Sequence, residues 1–136
     1  MIVVDASMAI TWLFEDETTA DARAILLRVV RDGGVVPSLW RLEIANTLRL
    51  AVRRNRCNED FLRQAVAYLE QLPIKDDADT GRFAWSVTLE LARVEGLTAY
   101  DAAYLELALR RNLPLATGDK ALIAAGRRNA LEVYTP

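Results

Sequence analysis

Ile2-Val3-Val4 stands near the start of the chain as three consecutive β-branched residues with no polar residue among them. Successive side chains of a strand face opposite sides of its sheet, so an unbroken apolar run asks for cover on both faces. Val35-Val36 repeats the pattern, as do Leu115-Ala116-Thr117 and, as a last strand, Leu131 to Tyr134; Leu72-Pro73-Ile74 reads as a brief extended piece. Segments with helical spacing separate these runs. Strands buried on both faces and alternating with helices predict βαβ units: an α/β domain of three layers, α/β/α, around a short central parallel sheet. With 136 residues, 52% of them apolar, no Pro- or Gly-rich linker and no repeat, residues 1–136 read as a single domain with one core.

The helices follow from their caps and stripes. A short helix is expected over Ala9, Ile10, Trp12, Leu13 and Phe14. Ala22, Ile25, Leu26, Val29 and Val30 share a face between Thr19 and Arg31, and Gly33-Gly34 closes that helix. Ser38 is the expected N-cap of a long helix through Arg54, with Ile44, Leu48, Ala51 and Val52 inward. Asn58 caps the next, lined by Phe61, Leu62, Ala65, Val66 and Leu69. One further helix is expected from Ala78 to Glu95, ending at Gly96. Thr98 caps another, from Ala99 to Arg111, which Asn112 and Pro114 stop, and Lys120 to Arg128 forms the last. Trp12, Phe14, Trp40 and Trp85 read first as core, with a partner groove as the competing reading.

The absence of histidine constrains the chemistry more than any other count. It removes Ser-His-Asp and Cys-His nucleophiles, His-pair ribonuclease chemistry and most zinc sites. The lone Cys57, in a polar turn, permits no intrachain disulfide and no cysteine metal cluster. Lys+Arg 17 against Asp+Glu 19 gives a net charge of −2, so any nucleic-acid role must rest on a local patch. No apolar run approaches the ~20 residues that span a bilayer, and Met1-Ile-Val-Val-Asp5 has no basic or apolar leader region, so a cytoplasmic protein is expected.

Four acids fall where ligands bind in open parallel sheets, beyond the carboxyl ends of strands. Asp5 follows the first strand and Asp119 lies just after the Leu115 strand. Glu43 and Asp101 lie in the first turns of helices. Each has a bland explanation. Asp5 and Asp119 can cap the helices they precede, Glu43 can complement a helix dipole, and Asp101 completes a capping-box variant with Thr98. Should the four meet, two carboxylates ~4 Å apart repel by about 4 kcal/mol at an effective dielectric near 20. Protons or a cation must then relieve them, and oxygen-only ligands select Mg²⁺ or Mn²⁺. Such a site suits phosphodiester hydrolysis by a metal-activated water.

The segments Ile2-Val-Val-Asp5-Ala-Ser7, Glu43-Ile-Ala-Asn46, Thr98-Ala-Tyr-Asp101-Ala-Ala-Tyr104 and Leu115-Ala-Thr117-Gly-Asp119-Lys-Ala-Leu122 resemble, in order and spacing over the whole chain, a PIN domain. More closely they resemble a VapC-type ribonuclease toxin of bacterial toxin–antitoxin pairs. The resemblance implies an endoribonuclease with Mg²⁺ as cofactor, for which Mn²⁺ can substitute. It assigns Asp5 and Asp101 to the metal, Glu43 and Asp119 to its waters or to a second metal, and Ser7, Asn46 and Thr117 to support. It also implies RNA as substrate, an antitoxin partner whose arginine can enter the acids, and a homodimer.

Two alternatives stay open here: a non-enzymatic PIN-like interaction module, and a metal-dependent phosphatase. A haloacid-dehalogenase-type phosphatase needs a second acid two residues after the first, where this chain has Ser7; a receiver domain needs paired acids and a late-strand lysine, and Lys120 stands in a loop instead. Arg49, Arg53 and Arg56, spaced three or four apart, can share a helix face that tracks RNA phosphates, or can simply solvate a helix end.

Overall fold

The computed structural model describes residues 1–136. The chain runs β1 (Ile2–Val4), α1 (Ala6–Thr11), a single 3-10 turn (Glu15–Glu17), α2 (Ala20–Asp32), β2 (Gly34–Val36), α3 (Trp40–Arg53) and α4 (Glu59–Glu70). It continues through β3 (Ile74–Asp76), the one-turn α5 (Thr80–Phe83), α6 (Val87–Glu95), α7 (Ala99–Arg111), β4 (Leu115–Ala116), α8 (Lys120–Arg128) and β5 (Val133–Tyr134). All five strands are parallel, in the order β3-β2-β1-β4-β5. Ile2, Val3 and Val4 are each 0% exposed, so helices cover both faces of the central strand, as an apolar run without alternation requires.

The chain builds outward from β1 through β2 to β3, then returns to lay β4 on the other side of β1. The direction of winding therefore reverses between β1 and β4, and the crevice at such a reversal, beyond the carboxyl ends, is where these sheets receive ligands. α7 lies against both β1 and β4. Residues Ala102 to Ala108 are buried without interruption, and three alanines among them let the helix approach the sheet closely. No helix is long and apolar enough to cross a membrane.

Thr19, Asn58 and Thr98 cap their helices as expected, their side chains accepting from the amides of Ala22, Phe61 and Asp101. Ser38 does not. Leu39 holds the cap position of α3, and the Ser38 amide donates to the Thr80 hydroxyl at 3.0 Å, tying the start of α3 to α5. The burial of Trp40, 1% exposed, and a turn closed by its amide on the Pro37 carbonyl set the helix start instead.

The helix expected from Ala78 to Glu95 is two helices. α5 is held at the end of β3 by a buried cluster in which Arg110 of α7 bonds Asp77 at 2.6 Å and Glu106 at 2.7 Å while lying over the Phe83 ring. α6 must run along α7, and no straight helix does both; the chain bends at Ser86, which leaves Trp85 91% exposed. The extended piece at Leu72-Pro73-Ile74 becomes a strand only from Ile74, since Pro73 has no amide to give; its carbonyl accepts from Gly34.

α8 meets β5 at Gly126, where an added Cβ would stand 2.8 Å from Val133 Cγ2. An alanine ordinarily gains about 1 kcal/mol over glycine inside a helix. Here the overlap outweighs that gain, and Gly126→Ala is expected to lower stability by about 1 kcal/mol net in urea unfolding. Its cost should shrink in a Val133→Ala background; strictly additive effects would contradict the contact.

Candidate active site

Asp5 leaves the carboxyl end of β1 and is 4% exposed. Its Oδ2 accepts two hydroxyl protons, from Ser7 at 2.6 Å and from Thr117 at 2.6 Å. Each hydroxyl has one proton to give and lone pairs to spare. The Ser7 Oγ therefore accepts the Gly118 amide and the Thr117 Oγ1 accepts the Asp119 amide, both at 3.0 Å. The loops after β1 and β4 are thus bonded through one buried carboxylate.

The other three acids arrive from separate elements. Glu43, in the first turn of α3, accepts at Oε1 from the hydroxyl of the fully buried Tyr104 at 2.5 Å. Asp101, in the first turn of α7, stands one helical turn before Tyr104. Asp119 caps α8, its Oδ1 accepting from the Leu122 amide at 2.9 Å. The bland reading of Asp119 as a cap is correct and does not displace the other, because a cap needs one oxygen.

The four line one cavity of about 420 Å³ together with Ser7, Asn46, Thr47 and Glu17, and no cation lines it. Glu17 and Thr47 had no signal in the sequence: Glu17 sits in an acidic run, Glu15-Asp16-Glu17, like any solvated turn. Tyr104 stood inside a motif, but nothing in its spacing tied it to Glu43.

The donor set fits a hard divalent cation. Asp5, Glu43 and Asp119 each commit one oxygen to a hydroxyl or a capping amide, and no side-chain donor reaches the second oxygen. As placed, no three of the acids form a group that could hold a metal ion between them; a hydrated hard cation needs only one or two carboxylates directly.

The acids burden one another electrostatically. Burial raises Asp5 above its ordinary range, with Ser7 and Thr117 opposing and the Asp119 charge adding to the rise. Glu43 is raised by burial, against its Tyr104 bond, and by the charges of Asp5 and Asp101. Asp101 is pushed up to about 6, first by burial and then by the charges of Asp119 and Asp5. Tyr104 is raised by burial and by Glu43, so it stays a proton donor.

The arginines do not form the face that their spacing suggested. α3 ends at Arg53, so Arg56 lies beyond the helix, in the following turn. It pairs with Asp16 and Glu17 and stacks over Phe14, while Arg49 pairs with Glu59. Acids from other elements pair with Arg49 and Arg56, while Arg53 makes no ion pair. Among the aromatics, Trp40 and Phe14 are core and Trp85 is exposed.

A carboxyl raised on folding stabilises the fold fully below its unfolded value, near 3.8 for Asp101, and loses that contribution as pH rises through about 6. Metal-free protein is therefore expected to melt lower at about pH 8 than at about pH 5, and Asp101→Asn to narrow the gap. Thermal melts in EDTA check this; an unchanged gap in the variant contradicts the assignment.

Comparisons with known proteins give the family and the fold. The family model described as PIN domain matches residues 2–128. VapC ribonuclease Mb0985 of Mycobacterium bovis is 33% identical over 129 residues, spanning 93% of this chain and 92% of its own. The crystal structure of PAE2754 from Pyrobaculum aerophilum superposes with a TM-score of 0.66 at 25% identity, covering 91% of this chain and 84% of that one. VapBC2 from Rickettsia felis, solved bound to a DNA fragment from their promoter, gives 0.65 at 16% identity over 100% and 99% of the two chains, a likeness of fold alone. The chain belongs to the PIN domain family and, within it, to the group of the VapC ribonucleases.

Proposed function

We propose that this single domain, residues 1–136, is a metal-dependent endoribonuclease, the toxin half of a toxin–antitoxin pair in the cytoplasm. One observation carries the reading: four acids from four separate elements line one cavity, at the reversal of strand order, to which no cationic side chain contributes. Their repulsion costs stability that an interaction module has no reason to bear. The phosphatase reading needs an acid where Ser7 instead gives its proton to Asp5.

Asp5 and Asp101 would hold Mg²⁺ or Mn²⁺ directly, and Glu43 and Asp119 would act through water or a second ion. When bound, the metal supplies the positive charge a phosphodiester needs in a pocket of this sign and activates water toward phosphorus. Ser7 and Thr117 orient Asp5 by occupying its Oδ2. Asn46 lines the cavity beside them as a neutral polar contact. Tyr104 occupies Glu43 Oε1 and leaves Oε2 to accept the proton of the attacking water. In-line attack expels the 3′-oxygen, leaving a 5′-phosphate and a 3′-hydroxyl.

RNA as substrate follows from the family. Arg53 is the member of the trio without a carboxylate partner and contributes phosphate contact beside the site, with Arg49 and Arg56 contributing where RNA displaces their acids. A homodimer and a cognate antitoxin complete the reading; an antitoxin arginine entering a pocket lined by five acids would silence it by charge-assisted pairing.

The test is cleavage of 5′-labelled structured RNA with Mg²⁺, Mn²⁺ or EDTA. The expected result is metal-dependent cutting to 5′-phosphate ends, undetectable in Asp5→Asn and Asp101→Asn. Tyr104→Phe is expected to lose about 10–100-fold, the usual cost of removing a partner that orients a ligand. Equal cutting in EDTA, or by Asp5→Asn, overturns the site.

A further inference from the structure

A second cavity, of about 410 Å³, opens between α2 and the end of β5, lined by Asp21, Ala24, Ile25, Arg28, Val133, Tyr134 and Thr135. We infer that it is a phosphodiester subsite for the RNA strand that enters the acidic pocket, with Arg28 as its phosphate ligand; this rests on the ribonuclease reading above. Three observations carry it.

The first is the state of Arg28. It makes no ion pair, Asp32 one turn on acting on it by charge alone, and among the arginines it alone has a buried nitrogen without a hydrogen-bond partner. Its guanidinium carbon lies 4.7 Å above the centre of the Tyr134 ring, and its Nε is buried with no hydrogen-bond partner. The ring fixes the plane of the guanidinium; its Nε is closed off from solvent, and the terminal nitrogens, which also have no hydrogen-bond partner, are the donors left for a ligand. Such an arrangement is suited to a phosphate oxygen or to a base laid on the guanidinium plane.

The second is position. β4 and β5 are parallel neighbours, and the Thr117 amide bonds the Tyr134 carbonyl at 3.0 Å, so both cavities open at the same edge of the sheet. Gly118, the residue after Thr117, is exposed and lies between Ser7 and Pro136. An added Cβ there would lie 3.6 Å from Ser7 Oγ on one side and 3.3 Å from Pro136 Cγ on the other. The Ser7 loop, Gly118 and Pro136 beyond β5 are thus in contact, and residue 118 itself puts no side chain between them.

The third is charge. The acidic lining repels phosphates, so the neighbouring phosphates of a bound strand need cations elsewhere. Arg28 supplies one along that edge. Asp21, two turns earlier on α2, offers an acceptor for a ribose hydroxyl rather than a partner for Arg28.

The experiment measures binding of a fluorescent single-stranded RNA by the cleavage-dead Asp5→Asn chain, across a salt series, with and without Arg28→Gln. Arg28→Gln is expected to weaken binding about fivefold and to reduce the slope of log affinity on log salt by about 0.7, one phosphate contact on a single strand. Arg28→Lys should keep the slope. In the otherwise native chain, Arg28→Gln should raise KM and spare kcat, with thermal melts confirming the fold. Unchanged affinity and slope in Arg28→Gln, while the native chain still cuts RNA, overturns the subsite alone. A native chain that neither binds nor cuts RNA overturns the subsite together with the function. Arg28-dependent binding of adenosine monophosphate, or of a co-purifying protein, with RNA affinity unmoved, overturns it in favour of that occupant.

Discussion

The bond on which the rest of the site depends is the double donation of Ser7 and Thr117 to one oxygen of Asp5. A carboxylate this deeply buried is costly unless hydrogen-bonded, and both donors come from hydroxyls whose lone pairs then take up the Gly118 and Asp119 amides. One side of the crevice is therefore assembled as a unit. The loops after β1 and β4 cannot separate without leaving a buried charge and two amides unpaired. Because the sheet order brings β1 and β4 together, this unit forms where the winding reverses.

α7 builds the opposite wall with the regularity of a helix. Asp101 and Tyr104 are one turn apart, so a single helix presents an acid to the cavity and a phenol to Glu43. Its buried alanines bring that face close against the sheet, and the Arg110 cluster at its far end pins α5 and β3. The same helix thus sets the height of the wall and anchors the sheet edge. The acids it helps gather remain uncompensated within the protein, a strain that a bound cation or a cationic partner would relieve.

Much of this was legible in the sequence where local rules decide. Thr19, Asn58 and Thr98 are caps because a side-chain oxygen reaches amides only a few residues away. The apolar triplet at β1 announces burial on both faces without reference to any other residue. Ser38 misled because its amide was wanted by Thr80, 42 residues distant. The break at Ser86 was hidden for a similar reason: helical spacing continues through it, and only the demands of β3 and α7 together bend the chain. Arg56 looked like part of a basic face until the 3-10 turn at residues 15–17 brought two acids to it.

The sequence by itself determined which chemistry is available and where along the chain it is carried. A chain without histidine, with acids after two strands and in the first turns of two helices, has oxygen ligands and little else to work with. Tertiary structure decided which oxygen of each acid is spent and which is left. It also brought Tyr104 to Glu43, Glu17 into the cavity, and Arg28 onto Tyr134 without an ion pair. The reason is physical: caps and periodicity act over one or two helical turns, whereas desolvation and charge pairing depend on neighbours that only the packed sheet supplies.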